Sequence, residues 1–533
     1  MKKIYISILA TLLAVSHISG QTRQQDRSMV VEESYVADFS SGSKYMPYAP
    51  SHTLSKSKRI GNYITQPQYL SGYYREDLEL KDLSNEVETD QMGVARLGYG
   101  LRNTLDALVH VGLSLSPKDR IEFDTKADGE NSGLFDGWRK KYYDWDASVT
   151  YQHRWERSVI DVDLFTDYKG FNYRPGINAD QVTDKQNLWN FGTSVLLNSF
   201  ATEKVEYHVR LAYNRFSRSN DGAGKNISVL NRLELNSGMF LPLGGNNSLG
   251  LDFNIAGGSY DWNRFNGTAA FDNYWNFTFA PYYTYNADRL KIRLGLDMDC
   301  LAGTRHSFNL SPDVALLFKL SDSWALFADA NGGFREYSAN KLYDISPYWS
   351  DTAQVRHGYS AVDARAGLSF NRTDSWKWQL YAGYSYNKDE IFQTVADDRF
   401  ITSALTQRNL SMFKAELSSS LTAIPSFNLN LFAGYYSYFN TDRALLLMRP
   451  VARVDLDMHI RLCNYLYTTI SYQSAYYKDL KSKQNISLRV DWDITENIAA
   501  YMALDNILNR EYYDFAGYQH HKFSAMLGVL FRF

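Results

Sequence analysis

The sequence is poor in cysteine and proline, and it has few long apolar runs. Its 533 residues include only two cysteines, Cys300 and Cys463, and 11 prolines. Two cysteines cannot form a disulfide framework, and these two lack the spacing of a metal site. The net charge of −3 gives no support for a nucleic-acid partner, which would need a basic surface. After residue 20, no apolar run approaches the roughly 20 residues that a membrane-spanning helix needs.

The one long apolar run lies at the N-terminus. Two lysines precede an apolar segment over residues 4–18, and two small residues then precede polar Gln21. This order predicts a secretory signal peptide over residues 1–20, cut near Gly20. A retained membrane anchor is disfavoured because the run is too short, and no cysteine follows that could carry a lipoprotein anchor. An exported chain without a later membrane helix can span a membrane only as a closed β-barrel.

From about residue 91 onward, apolar and polar side chains alternate. In residues 289–299 apolar side chains alternate with mostly charged ones, and the pattern recurs in residues 454–462 and 485–494. Side chains at every second position of a strand share a face, so one face is apolar and the other is charged. These segments are long enough to cross a bilayer when tilted, and short connections alternate with long polar loops. The aromatic content of 15% suits a barrel with aromatic girdles at both membrane interfaces.

These patterns predict an all-β protein, a transmembrane antiparallel β-barrel of about 22 strands and of outer-membrane type, over residues 91–533. With an even number of strands, the start of the first strand and the end of the last strand both lie on the periplasmic side. Residues 21–90 show little periodicity and are expected to form an extended periplasmic segment. Outer-membrane lipid is therefore an expected partner.

The last strand carries a terminal aromatic pattern. Apolar side chains occupy every second position from Phe523 through Phe531 to Phe533, and the chain stops on that face. A terminal aromatic residue on an alternating last strand resembles the signal that barrel-assembly machinery recognises. We therefore expect these three phenylalanines to form that signal and the assembly machinery to be a partner.

The run just before this strand resembles part of a known family. Residues 504–513 read Leu-Asp-Asn-Ile-Leu-Asn-Arg-Glu-Tyr-Tyr, which is similar to the penultimate strand and final outer loop of TonB-dependent receptors. The resemblance covers residues 490–533 in detail, and the expected strand number, which is that of the family, extends it across the barrel. It implies an outer-membrane receptor that binds a solute at its outer loops and admits it through the lumen.

The N-terminal part departs from this family, whose members have a globular plug before the barrel. Residues 21–90 lack plug-like patterning, so no full plug domain is expected. The lumen of a 22-strand barrel is too wide for wall side chains to fill. The N-terminal segment, infolded loops such as residues 336–358, or a separate plugging protein must then fill it. The short run Val30, Val31 and Glu32 is a candidate contact for TonB.

The candidate site residues follow from the resemblance and from strand parity. Aromatic residues of the predicted outer loops are expected to capture the solute: Trp262, Phe265, Tyr348 and Trp349. Charged residues on the predicted inner face are expected to line its path: Arg293, Arg489 and Asp491.

Four histidines suggest chemistry without defining a catalytic set. His208 and His459 face the predicted lumen, whose polarity accounts for them, and the sequence has no nucleophile elbow, metal-ligand spacing or phosphate loop. His520 and His521 could bind a metal in the last outer loop, but a solvated loop pair is the favoured interpretation. We expect no enzymatic activity and no cofactor. The alternative to transport is a structural or assembly role, as a subunit of an outer-membrane complex.

Overall fold

The computed structural model describes residues 93–135, 138–173, 185–199, 205–220, 226–265, 268–269, 271–303, 306–348, 355–372, 375–395, 403–424 and 426–533. The expected signal peptide, the segment over residues 21–90 and the candidate TonB contact of Val30, Val31 and Glu32 lie outside the described residues. They stay predictions, as does the expected lack of a full plug domain.

Antiparallel strands make up most of the described chain. Within it, 22 strands form one continuous wall. They are β1 (Gly93–Gly100), β2 (Thr104–Ser116), β3 (Asp119–Phe135), β4 (Trp138–Arg154), β5 (Ser158–Phe171), β6 (Gln186–Ser199), β7 (Glu206–Asn220), β8 (Asn226–Gly244), β9 (Asn247–Phe265), β11 (Tyr274–Asn286), β12 (Leu290–Gly303), β13 (Ser307–Lys319), β14 (Trp324–Arg335), β15 (Gly358–Arg372), β16 (Trp376–Val395), β17 (Ser403–Ile424), β18 (Phe427–Phe439), β19 (Ala452–Cys463), β20 (Leu466–Tyr476), β21 (Lys483–Asp493), β22 (Ile498–Asp505) and β25 (Ser524–Arg532).

The remaining elements are short and lie in the connections. Strand β10 (Thr268–Ala269) pairs with the end of β9, and β23 (Tyr513–Phe515) pairs with β24 (Tyr518–Gln519) between β22 and β25. Helix α1 (Ala339–Ile345) lies between β14 and β15. Two 3₁₀ turns cover Leu101–Asn103 and Arg443–Leu446.

The wall closes on itself because β25 pairs with both β22 and β1. At this seam the backbone N–H of Gly93 donates to the carbonyl of Phe533 at 2.9 Å, and the N–H of Phe533 donates back at 3.0 Å. Closure leaves no strand edge unpaired, as a wall in an apolar medium requires. The predicted antiparallel barrel of about 22 strands is confirmed. We name the end where Gly93 and Phe533 meet the terminal end, and the opposite end the loop end.

The two faces of the wall differ in polarity. On β12, Leu294 and Leu296 are exposed on the outer face, whereas Arg293, Asp297 and Asp299 are buried on the inner face. Exposed large apolar side chains recur along the other wall strands. An apolar outside and a charged inside are expected for a barrel that separates lipid from an aqueous interior. Among the described residues, no helix is both long and apolar enough to cross a membrane.

The three terminal phenylalanines are exposed at the last strand. Phe523 comes just before β25, and the rings of Phe531 and Phe533 lie 5.7 Å apart on the outer face. This placement leaves them accessible to another protein. Their role as an assembly signal stays a prediction.

Candidate functional site

The connection between β14 and β15 crosses the loop end of the barrel. The ring of Tyr348 in this connection lies 5.3 Å from that of Phe171 at the end of β5, although β6–β9 and β11–β13 separate β5 from β14 in the wall. Tyr348 also stacks on Tyr518, between β22 and β25, at 3.7 Å. A segment that contacts such distant parts of the wall passes over the lumen. We name its described part, residues 336–348 and 355–357, the crossing loop.

Apolar and aromatic side chains bury the crossing loop against the barrel. They come from the loop itself, from the ends of six wall strands and from the connections nearby, and we name this set the mouth cluster. Burial of a large apolar side chain contributes about 1.5–3 kcal/mol, so the set as a whole fixes the crossing loop in place. The mouth cluster consists of Phe171, Tyr173, Leu188, Phe216, Leu230, Phe271, Tyr337, Ala339, Leu342, Tyr343, Tyr348, Val355, Ile391, Leu405, Phe515 and Tyr518.

A buried ion pair anchors the start of the crossing loop to the wall. Arg232 on β8 donates to Glu336 from Nε and from Nη2, each at 2.8 Å. The hydroxyls of Tyr274 and Ser338 donate to the same carboxylate at 2.5 and 2.6 Å. Burial opposes ionisation, but the Arg232 guanidinium holds the pKa of Glu336 well below its ordinary value. Glu336 is therefore a charged anchor with its lone pairs satisfied.

A second buried carboxylate fastens the neighbouring strand ends. Glu390 on β16 is fully buried and accepts from Arg335 Nη1 and Arg449 Nη2, each at 2.8 Å. Arg335 ends β14, and Arg449 belongs to the connection between β18 and β19. Removing one member of such a buried set leaves an uncompensated charge, which is costly. Glu390 therefore joins three separate parts of the loop end.

His357 closes the crossing loop as a neutral acceptor. Its Nδ1 accepts from the backbone N–H of Tyr337 at 3.0 Å, and its ring lies 4.1 Å from that of Tyr274. Burial lowers the pKa of His357 to about 4, and the nearby carboxylates of Glu336 and Asp272 only partly oppose this. The two ends of the crossing loop are thus held together by an imidazole that must stay unprotonated.

The connection from β22 to β25, named the last loop here, is organised by Asn506. This residue is fully buried and has a φ of +47°, in the left-handed region that Asn tolerates well. Its Oδ1 accepts from the N–H of Arg510 at 3.0 Å, and its Nδ2 donates to the carbonyls of Arg510 and His521 at 2.9 and 2.8 Å. These bonds give a structural reason for the first Asn of the run that resembles TonB-dependent receptors.

The last loop also brings two histidines onto one carboxylate. Oδ2 of Asp505 lies 3.0 Å from Nε2 of His520 and 2.9 Å from Nε2 of His521. Both imidazoles are buried, with 5% and 4% of their surface exposed. The expectation of a solvated loop pair is therefore wrong, because both rings are packed against carboxylates and that of His520 also stacks on the ring of Tyr512. Of the described residues, these three form a group that could hold a metal ion.

The charges around this histidine pair are unequal. Burial alone would lower the pKa of His520, but the carboxylates of Asp514 and Asp505 raise it to about 9. Burial and the adjacent cation of His520 lower the pKa of His521. Burial would raise the pKa of Asp514, but His520 lowers it. In the protein alone, His520 is therefore the charged member of the pair and His521 the neutral one.

The charged residues predicted to line the lumen lie on the inner face. Nε of Arg293 donates to Asp313 at 2.9 Å, and its guanidinium lies 3.5 Å from the ring centroid of Tyr282. Arg489 donates to Asp491 from Nε at 2.8 Å and from Nη2 at 2.6 Å. Both guanidinium groups are thus engaged by wall carboxylates. Their contact with a solute stays a prediction.

The aromatic residues predicted to capture solute are placed only in part. Tyr348 is buried at the centre of the mouth cluster. The backbones of Trp262 and Phe265 lie at the loop end of β9, but their side chains are outside the described residues, as is the whole of Trp349. Of the two histidines predicted to face the lumen, His459 is buried with Nδ1 3.2 Å from Thr469 Oγ1, and His208 lies beside Gly238.

Comparison with known proteins identifies the fold. No protein-family model matches the chain, and no curated protein sequence matches it. Among solved structures, the copper transporter OprC is 13% identical with a TM-score of 0.63, over 83% of this chain and 80% of that one. The siderophore receptor PirA from Acinetobacter baumannii is 10% identical with a TM-score of 0.65, over 84% and 81%. The FrpB iron transporter from Neisseria meningitidis is 10% identical with a TM-score of 0.64, over 84% and 82%.

The chain has the fold of these transport barrels. At such low identities the likeness is one of fold, and it confirms at that level the resemblance to the barrel of TonB-dependent receptors. A likeness of fold assigns no role to individual residues, so the roles proposed for the lumen, the crossing loop and the last loop depend on this chain's own residues.

Several residues that organise the loop end carry no local signal in the sequence. Glu336 and Arg232 are 104 positions apart, and Glu390 and Arg449 are 59 positions apart. Strand parity places Arg232 on the inner face but does not reveal its partner. The run that contains Asn506 was the exception, because its resemblance to a known family marked this part of the loop end in the sequence.

Proposed function

We propose that this protein is an outer-membrane receptor that binds a solute and admits it through its barrel. The loop end faces the outside of the cell and the terminal end faces the periplasm. The observation that carries the proposal is the crossing loop, which spans one end of a charged lumen. A passage covered by its own anchored loop suits gated entry better than free diffusion.

The fold supports the same function. The similar structures are named as a copper transporter, a siderophore receptor and an iron transporter. We propose that solute follows the same general route here, from the loop end into the lumen.

In the proposed mechanism, aromatic residues of the outer loops at the loop end bind the solute, and charged residues on the inner face of the barrel line its path. Buried Tyr348 becomes accessible only when the crossing loop loosens, and wall charges then compete for the solute. The capture residues are Trp262, Phe265, Tyr348 and Trp349, and the wall residues are Arg293, Arg489 and Asp491. Energy for opening comes from TonB, with Val30, Val31 and Glu32 as the candidate contact. The N-terminal segment or a separate plugging protein fills the rest of the lumen.

The anchor at Glu336 provides a direct test of gating. Glu336→Gln keeps the side-chain shape but removes the charge that pairs with buried Arg232, so the crossing loop should loosen. We expect the mean conductance of the purified barrel in planar bilayers to rise severalfold. The matched control is Asp344→Asn in the same loop, because Asp344 is half exposed and its partner Lys169, at 3.6 Å, keeps a second carboxylate in Asp144 at 3.9 Å.

Two results would count against this function. If Glu336→Gln and Asp344→Asn conduct alike, the crossing loop is not a gate held by its buried ion pair. If the folded protein in liposomes neither conducts nor binds solute, with or without periplasmic partners, the transport proposal fails. A stoichiometric partner recovered from native membranes would then favour the structural role.

A further inference from the structure

Three metal-ligand side chains converge where the last loop meets the end of β22. One ligand atom from each of Asp505, His520 and His521 lies within 4.8 Å of the other two. The Nε2 atoms of the two histidines lie 3.0 and 2.9 Å from the same carboxylate oxygen of Asp505. Ligand atoms about 2.0–2.2 Å from a tetrahedral Zn²⁺ lie about 3.3 Å from one another. The three atoms are therefore already close to the spacing of ligands on one ion.

Each imidazole also faces a second carboxylate through its other nitrogen. Nδ1 of His520 lies 2.8 Å from Oδ2 of Asp514, and Nδ1 of His521 lies 3.8 Å from Oε1 of Glu130. Histidines that bind metals commonly donate their second N–H to a carboxylate, which orients the ring and makes the ligand more basic. Asp505, His520 and His521 thus have the arrangement of metal ligands, and Asp514 and Glu130 have that of the carboxylates that orient such ligands.

The hydrogen bonding around His521 is incomplete in this structure. Nδ1 of His521 faces Oε1 of Glu130, but at 3.8 Å the two atoms are too far apart for a hydrogen bond. Neither Nδ1 of His521 nor Oε1 of Glu130 makes a hydrogen bond, and both residues are more than nine-tenths buried. Leaving such atoms unsatisfied in a buried place is costly.

Metal coordination removes this mismatch. If Nε2 of His521 binds an ion, the ring proton moves to Nδ1, where Glu130 can accept it. Lys140 lies 3.2 Å from the other oxygen of Glu130 and holds that carboxylate in place. The ring of Tyr512 stacks on His520 at 4.6 Å and restricts its rotation. The ligands are thus oriented before any ion arrives.

We propose that Asp505, His520 and His521 bind one divalent transition-metal ion through two imidazole nitrogens and one carboxylate oxygen. Nitrogen ligands with a carboxylate suit Zn²⁺, Cu²⁺ and Fe²⁺, and three protein ligands leave a position for water or solute. The ion joins β22 to the last loop, which also contributes Phe515 and Tyr518 to the mouth cluster. It therefore stiffens the support on which the crossing loop rests.

Zinc binding to the full chain in detergent tests this site. The protein is prepared without a histidine tag, treated with chelator and titrated with Zn²⁺ against a chromophoric competitor. We expect one ion per chain, and at least tenfold weaker binding for His520→Ala and for His521→Ala. The matched control is His306→Ala, which removes an exposed histidine just before β13 and should leave the affinity unchanged. Electron paramagnetic resonance of the Cu²⁺ form should show coupling to two nitrogens.

Folding is checked in parallel, so that a loss of binding is not a loss of structure. Each variant must retain heat-modifiable gel migration and β-rich circular dichroism. If an alanine variant does not fold, Asp514→Asn serves instead, because it keeps all three ligands and should still weaken binding at least tenfold. Absence of a stoichiometric ion, or unchanged affinity in the folded variants, would show an ion-pair network and overturn the proposal. The measurement involves no transport, so its failure leaves the proposed function standing.

Discussion

Asn506 is one side chain that determines the path of a whole loop. Its backbone is in the left-handed region and its side-chain amide is buried. That amide makes hydrogen bonds with the backbone N–H and carbonyl of Arg510 and with the carbonyl of His521. Asn is well suited to this position because its short polar side chain tolerates positive φ and can bond locally. The amide oxygen of Asn485 further fixes Asn506 by accepting its backbone N–H at 3.0 Å.

Asn506→Ala should therefore destabilise the folded protein. Three side-chain hydrogen bonds disappear and the buried carbonyl of His521 is left unsatisfied, so we expect the free energy of unfolding to fall by about 2–3 kcal/mol. Urea titration of the protein in detergent, followed by heat-modifiable gel mobility, measures this change. Asn440→Ala is the matched control, because Asn440 has a similar φ of +56° but is exposed, and it should cost about 1 kcal/mol. Equal losses in both variants would mean that the amide contacts of Asn506 contribute little.

At the scale of elements, the crossing loop depends on a histidine that must remain neutral. The pKa of His357 is about 4 in the folded protein, below the ordinary value of 6.5. A histidine whose pKa is lowered in the folded state binds more protons once the loop has opened. Its contribution to the stability of the closed loop is therefore complete above pH 6.5 and decreases as the pH falls toward 4. Glu336 and Asp272 face the ring and reduce this effect without reversing it.

Acidification should therefore loosen the crossing loop. We expect the conductance of the barrel in planar bilayers to increase between pH 7 and pH 4.5, because protonated His357 can no longer accept from the Tyr337 N–H. His357→Gln keeps an acceptor but does not titrate, so its conductance should change less over the same range. This comparison also accounts for lumen carboxylates, which titrate in both proteins. An identical pH response of the two proteins would exclude His357 as the cause.

The elements differ in how far the sequence alone predicts them. The wall strands were predictable because alternation is a local property, and each strand such as β12 shows it within one segment. The path of the crossing loop was not, because Tyr343 and Phe216 stack at 5.7 Å although they are far apart in the chain. The burial of His520 and His521 was missed for the same reason. His521 lies beside Glu130 of β3, which is far away in the chain, so no local pattern reveals this contact.

At the scale of the whole molecule, the barrel closes where the aromatic ring of Tyr501 packs against Gly528 and Gly98. Tyr501 on β22 pairs in register with Gly528 on β25, and Gly528 pairs with Gly98 on β1. A Cβ at either glycine would overlap the Tyr501 ring. The Tyr501 hydroxyl reaches farther still and donates to Asp106 on β2 at 3.0 Å. One side chain thus spans the seam between the last two strands and the first two.

Gly528→Val should therefore impair closure of the barrel. The added side chain displaces the Tyr501 ring from the seam, and overpacking of this kind costs about 1–3 kcal/mol. We expect a lower urea midpoint and a smaller heat-modifiable fraction after refolding into detergent. Gly112→Val on β2 is the control, since the nearest atom to its Cβ would be Arg120 Nη2 at 3.5 Å and valine favours strands. Adding Tyr501→Ala to Gly528→Val should recover part of the loss, because the valine then has space. If Gly528→Val refolds as well as Gly112→Val, the Tyr501 ring does not hold the seam.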